Sequence, residues 1–265
     1  LKKIHALGEM EVILKTTIVK GVDMEASKEL KDLAKALRLS GMLPTFAERI
    51  SYAKAKKLSY EEFMELILSD EVERRQARSL NLKMKKAGVT NLESYDWNTT
   101  TSYDRDLVKK LFSLAFMEKH ASVLIFGPTG VGKTFLGRHL AYSAIKAGYD
   151  SILVRADKMF ESLKLATVDG THGRTLRKYL KPDLLVVDDF AIGSLTREEA
   201  KDLYEIIIER HETKSSVFTS ARAPEEWQKL FPDPILGNSA LDRLAHSSYQ
   251  VLMEGDSIRK QRRPK

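Results

Sequence analysis

Apolar residues recur at helical spacing through the first part of the chain and give way later to short unbroken runs. From Lys28, the positions Leu30, Leu33, Ala34 and Leu37 fall at i, i+3, i+4 and i+7, which predicts a helix that Gly41 stops. A second helix is predicted to open after Thr45, with Glu48 completing a capping box and Phe46, Ile50 and Ala53 sharing a face. The third has the plainest start. Ser59 at the N-cap, Glu62 at N3 and the apolar pair Leu58 and Phe63 form a capping box with a hydrophobic staple. Phe63, Leu66 and Ile67 continue its buried face, and Glu71 to Lys86 extend it as a highly charged helix. The polar, turn-forming stretch Gly88 to Tyr103 reads as a linker. Ahead of all this, residues 1–24 carry two strand-like apolar patches, Val12 to Leu14 and Ile18-Val19, with no partner strand nearby.

Beyond the linker the period changes. Asp104 to Glu118 reads as a helix, Ser122 to Phe126 as a buried strand, and Leu136, Leu140 and Ala144 as the inner face of a helix. Gly148 and Asp150 turn the chain into a second strand, Ser151 to Arg155. A helix capped by Asp157 is expected through Leu165, then a polar loop from Thr167 to Gly173, with Leu176 to Leu180 returning the chain to the sheet. Leu184 to Val187 is the unbroken apolar run of a strand covered on both faces. Thr196 and Glu199 cap a helix carrying Leu203, Ile206 and Ile207 inward. Ser216 to Ser220 and Tyr249 to Met253 complete five strands. Strands alternating with helices imply a parallel, doubly wound α/β sheet behind a small all-helical domain. The expected division is an arm over 1–24, a helical domain over 25–100 and an α/β domain over 101–265.

Chemistry enters where the first strand ends. Gly127, Pro128, Thr129, Gly130, Val131, Gly132, Lys133 and Thr134 spell G-x-x-x-x-G-K-T between a strand and a helix, which is the phosphate-binding P-loop in its proper context. Glycines let backbone N–H groups close around anionic oxygens, Lys133 reaches the β- and γ-phosphates, and Thr134 offers its hydroxyl to Mg²⁺. The run Leu184 to Val187 ends in Asp188 and Asp189, a Walker-B arrangement: Asp188 is expected to bind Mg²⁺ and Asp189 to polarise the attacking water. Strands between the two motifs favour the additional-strand P-loop ATPases over simple nucleotide kinases. No N-K-x-D base-reading motif of a GTPase follows.

Composition narrows the partners. Lys plus Arg number 44 against 37 for Asp plus Glu, a net charge of +7, which favours a polyanion. Two clusters localise it: Arg74, Arg75, Arg78, Lys83, Lys85 and Lys86 on the third helix, and Arg259, Lys260, Arg262, Arg263 and Lys265 at the C-terminus. The first is the candidate DNA-contacting helix. Cysteine is absent, so disulfides and Cys-ligated metals are excluded, and the six histidines lack metal-ligand spacing. No apolar run reaches membrane-spanning length and no secretory apolar core opens the chain, so a soluble cytoplasmic protein is expected.

From about Leu39 onward the sequence resembles the AAA+ ATPases of the IstB and DnaC group, and within it the IstB-type transposition helpers. The likeness rests on Leu39 to Leu43, Tyr60 to Phe63, Glu73 to Ala77, the P-loop, Ala147 to Tyr149, Asp188 to Phe190, Pro224 to Trp227, Phe231 to Pro234 and Leu241 to Leu244. It implies an AAA+ domain with a five-stranded parallel sheet, and an ATPase that assembles as an oligomer on double-stranded DNA and engages a transposase. By the same resemblance Arg243 matches the arginine finger reaching a neighbouring subunit's ATP, and Arg259 matches the sensor 2 position. One position departs: where the family has Thr-Ser-Asn-Arg, this chain has Thr219, Ser220, Ala221 and Arg222. Alanine cannot supply the sensor 1 contact to water, and many relatives carry Glu in place of Asp189, so slow hydrolysis is expected. A helicase loader acting on single-stranded DNA and a small-molecule P-loop kinase are the alternative readings.

Overall fold

The computed structural model describes residues 26–90, 92, 94, 95, 97 and 101–257. The strand-like patches at 12–14 and 18–19, Arg259 and the basic C-terminal cluster lie outside them. The chain divides into two compact units, the first ending at Ser79 and the second beginning at Leu80.

The first unit holds α1 (Lys28–Ala36), α2 (Leu43–Lys56) and most of α3 (Tyr60–Lys86). Ser27 caps α1 by accepting the Leu30 N–H at 3.1 Å. Helix α2 opens before the predicted Thr45, because Pro44 in the first turn has no N–H to leave unpaired. The Thr45 hydroxyl instead contacts the Met42 carbonyl and Asp70, each at 3.2 Å. Arg49 grips the same Asp70 with two nitrogens, at 2.6 and 2.7 Å, tying α2 to α3, and the Phe46 and Phe63 rings pack 6.2 Å apart beside it. The capping box of Ser59 and Glu62 is in place, with bonds of 2.7 and 3.2 Å. Val72 to Ser79 of α3 are exposed on every side.

That exposure explains where the units part: the division falls inside α3, ahead of the polar segment that composition reads as a linker. Met84 at the end of α3, and Ala87 and Val89 after it, are core residues of the second unit. There the Ala87 carbonyl accepts the Leu153 N–H at 3.1 Å and covers part of the edge of β2.

The second unit continues with α4 (Arg105–Phe112), α5 (Ala115–Glu118), β1 (Ser122–Phe126), α6 (Lys133–Lys146), β2 (Ser151–Arg155), α7 (Ala156–Val168), α8 (His172–Leu180), β3 (Leu184–Phe190), α9 (Arg197–Arg210), β4 (Ser215–Ser220), a 3₁₀ helix (Pro224–Leu230), α10 (Pro234–His246) and β5 (Ser248–Leu252). The five strands are parallel in the order β2-β3-β4-β1-β5. Their side chains alternate between two cores. Val123, Ile125, Val186 and Val217 face one, and Leu124, Leu185, Val187 and Phe218 face the other.

Several boundaries differ from the sequence reading. The helix expected over Asp104 to Glu118 is two helices, broken where Leu114 turns left-handed at φ 62°. Asp157 lies within the first turn of α7, bonded to Arg155, and not at the N-cap. Leu176 to Leu180 belong to α8. The capping box of Thr196 and Glu199 opens α9 as expected. At the far end of α9, Arg210 is buried and donates to the carbonyls of Tyr179, Leu180, Pro182, Asp183 and Ser215 and to the Ser216 hydroxyl. The α8–β3 connection is thereby locked to the start of β4. Burial pushes the guanidinium pKa down to about 10, with Asp183 opposing, so it stays charged at neutral pH.

Candidate nucleotide-binding site

β1 feeds the P-loop directly into α6. Gly127 turns the chain at φ 141°, where a Cβ would collide with the Met253 carbonyl just beyond β5. Gly132, at φ 103°, is the N-cap of α6 and offers no side-chain acceptor, so the first-turn N–H groups of Lys133 and Thr134 are left for an anion. The buried Lys133 ammonium donates to the Gly127 carbonyl at 2.8 Å and the Pro128 carbonyl at 2.7 Å, which places its charge on the loop. From outside, the Thr101 hydroxyl braces the loop through the Val131 carbonyl at 3.0 Å.

The acidic pair sits within β3. Val187 pairs with Phe218 of β4, and the next pair is Phe190 with Ser220, so Asp188 and Asp189 together oppose the single residue Thr219. This is a β-bulge, the device that re-aims side chains beside active sites. Asp188 is buried and its Oδ1 accepts the Thr134 hydroxyl at 2.9 Å and the Thr219 hydroxyl. Asp189 is half-buried and left-handed at φ 54°, and its N–H donates to the Thr219 hydroxyl at 3.1 Å. By sequence Thr219 stands near a strand end and opens the stretch Thr219 to Arg222, with no role of its own assigned. Nothing in a one-dimensional pattern marks a bulge in the preceding strand, about 30 residues earlier.

Sheet order accounts for the convergence. With β4 between β1 and β3, the P-loop, the two aspartates and Thr219 all meet at the carboxyl ends of the central strands. Ala221 follows β4 and is exposed. Arg243 is not brought to this cluster. On α10 it donates to the Ser239 carbonyl at 2.9 Å and hydroxyl at 2.7 Å, and it lines an open cleft of about 640 Å³ with Pro224, Gln228, Asn238 and Asp242.

The basic residues of α3 divide into two kinds. Arg74 and Arg75 lie 3.5 and 2.8 Å from the carboxylate of Glu71, and Arg75 also donates to the Arg38 carbonyl. Lys83 pairs with Asp150 at 3.0 Å, and that hydrogen bond, against the opposing effect of burial, holds the Asp150 carboxyl below its ordinary range. Arg78, Lys85 and Lys86 are exposed.

The model of the family described as IstB-like ATP binding protein matches residues 32–265. The chain belongs to this family. Its relatives include a protein named for ATP binding in an insertion sequence of Mycobacterium tuberculosis, 34% identical over 239 residues that cover 89% of this chain and 95% of that one. A second, from the insertion sequence IS5376 of Geobacillus stearothermophilus, is 30% identical over 224 residues, 82% of this chain and 89% of that one. Among solved structures, DnaI shares the fold at a TM-score of 0.53 and 20% identity, covering 63% of this chain and 93% of that one.

In this IstB-like chain the donors fit a hard cation. A hydroxyl and a carboxylate, Thr134 and Asp188, meet through oxygen atoms beside a loop built for phosphate, which is the donor set Mg²⁺ takes with nucleotides. When bound there, the metal would neutralise charge on the β- and γ-phosphates.

Proposed function

We propose that the chain is an ATP-driven helper of DNA transposition. It binds duplex DNA as a homo-oligomer and engages a transposase, and ATP binding and hydrolysis switch the assembly. The observation that carries the ATP reading is the contact of Thr134 with Asp188 at 2.9 Å, beneath a P-loop whose lysine lies over its carbonyls. Membership of a family named for ATP binding, with relatives named within insertion sequences, supports the transposition context.

The roles follow from chemistry. Lys133 and the N–H groups opening α6 hold the phosphates, while Thr134 and Asp188 hold Mg²⁺. Asp189, projected by the bulge, orients the attacking water. Arg243 serves a neighbouring subunit's ATP, in keeping with its place in an open cleft lined by residues of the 3₁₀ helix and α10 and by no P-loop residue, and Arg259 is assigned the sensor 2 role. Ala221 has no group to help position water, so turnover is slow while ATP binding is retained. Arg78, Lys85 and Lys86 supply the exposed phosphate contacts of α3. Arg74, Arg75 and Lys83 add charge from ion-paired positions.

Sedimentation of the purified chain with duplex DNA, in ATP or in ADP, tests this reading. ATP is expected to give large DNA-bound assemblies that ADP does not support and that Lys133→Ala abolishes. Assemblies of Lys133→Ala with an unchanged ATP response would defeat it. Tighter binding to single-stranded than to duplex DNA would point instead to a helicase loader.

A further inference from the structure

The hydroxyl of Thr219 touches both acids of the bulge. Its oxygen accepts the N–H of Asp189 at 3.1 Å and its proton goes to Oδ1 of Asp188. Both bonds are needed locally. At the bulge the half-buried Asp189 N–H is met by a side chain of β4, the Thr219 hydroxyl, and an N–H left without an acceptor away from water costs about 1–3 kcal/mol. Asp189 also holds φ 54°, a conformation that a non-glycine residue keeps only when its surroundings impose it. The other hydroxyl at this strand end is engaged elsewhere: Ser220 accepts the Arg222 N–H at 3.0 Å.

Thr219 is itself fixed on its other side. It is buried in the sheet, and its methyl packs close to Gly137 on the P-loop helix, where an added Cβ would lie 3.1 Å from it. With its methyl toward Gly137 of α6, its hydroxyl faces Asp188 and Asp189 of β3. The carboxylate of Asp188 therefore receives two hydrogen bonds on one oxygen, from Thr134 and from Thr219, which sets its plane and leaves Oδ2 for other ligands.

Resting on the reading above as an ATP- and Mg²⁺-binding protein, we infer that Thr219 is a positioning residue: its hydroxyl orients Asp188 toward the metal and holds the bulge that presents Asp189 to water. It acts one position before Ser220 and two before Ala221, so in this chain the geometry of the acidic pair is imposed by a strand side chain from beneath. Groups that orient a metal-ligating carboxylate are worth about 10–100-fold in metal affinity or activity.

Two substitutions separate this from packing. Thr219→Val keeps the volume and the methyl but loses the hydroxyl, whereas Thr219→Ser keeps the hydroxyl and loses the methyl. Binding of a fluorescent ATP analogue is titrated with Mg²⁺, next to the same measurement in EDTA and thermal unfolding of each variant. For Thr219→Val, the Mg²⁺ needed for half-maximal tight binding is expected to rise about tenfold or more, with affinity in EDTA unchanged. Thr219→Ser is expected to stay within about threefold of the parent, and DNA-stimulated kcat to fall in the valine variant alone. If Thr219→Ser is the more impaired in Mg²⁺ dependence, or if Thr219→Val matches the parent, Thr219 is only a packing residue and the inference falls. A parent chain that binds no analogue overturns the ATP reading itself, and this inference with it.

Discussion

The hydroxyl of Thr134 lies 2.9 Å from Oδ1 of Asp188, joining the start of α6 to the end of β3 across 54 residues of sequence. Removing the charge while keeping the shape isolates what that contact does. Asp188→Asn is expected to fold as the parent does and to lose its stabilisation by ATP with Mg²⁺. At a ligand concentration one hundred times Kd that stabilisation amounts to about 2.7 kcal/mol, read as a shift in Tm. An equal Tm shift in parent and variant would remove Asp188 from the metal site.

Two glycines with positive φ differ in what surrounds them. Gly127 faces the Met253 carbonyl, whereas Gly148, at φ 101°, has open space where a Cβ would go. Gly148→Ala is expected to cost about 1–2 kcal/mol, the strain of the left-handed backbone alone. Gly127→Ala adds a collision with backbone, and urea denaturation is expected to show at least twice the loss. Equal losses would mean that the P-loop moves freely away from β5.

Arg210 serves six acceptors from a buried position. Arg210→Met leaves several buried carbonyls without donors, at about 1–3 kcal/mol each, so a loss above about 3 kcal/mol is expected in urea unfolding. Arg210→Lys recovers only part of it, because an ammonium has three donors and no planar fork. Nucleotide affinity of any variant that remains folded is expected to be unchanged, since none of these acceptors belongs to the P-loop or to the bulge.

If Arg243 acts on a neighbour's ATP, two inactive variants can complement each other. Arg243→Ala and Lys133→Ala are each expected to lose most DNA-stimulated ATPase activity, Arg243→Ala while still binding nucleotide. Mixing them restores activity, because intact P-loops then meet intact arginines. A mixture no more active than its parts would confine Arg243 to its own α10, where Ser239 already holds it.

Local patterns carry as far as local forces do. The capping boxes of Ser59 with Glu62 and Thr196 with Glu199 form within four residues, and both stand where the sequence puts them. The P-loop is legible for the same reason: its glycines and the α6 N-terminus are contiguous. The apolar run Leu184 to Val187 announces a covered parallel strand because burial on both faces permits no polar alternation. Yet β3 continues through Asp188 and Asp189 to Phe190, a continuation that apolarity cannot reveal. Thr45 shows the opposite failure: a good capping pattern was displaced by Pro44 and by the contact with Asp70, which lies on another helix.

By itself, then, the sequence determined the helical start, the alternating α/β order, the P-loop and the acidic pair, since each depends on neighbours along the chain. Only tertiary structure decided which residues work together. Parallel strands meet through long crossovers, so the sheet order that puts β4 against both β1 and β3 is what carries Thr219 to Asp188. The same folding brings Lys83 to Asp150 and Arg210 to the α8–β3 loop, through pairings that no spacing encodes. Charge and hydrogen-bonding capacity are properties of residue types, but their partners are set by packing.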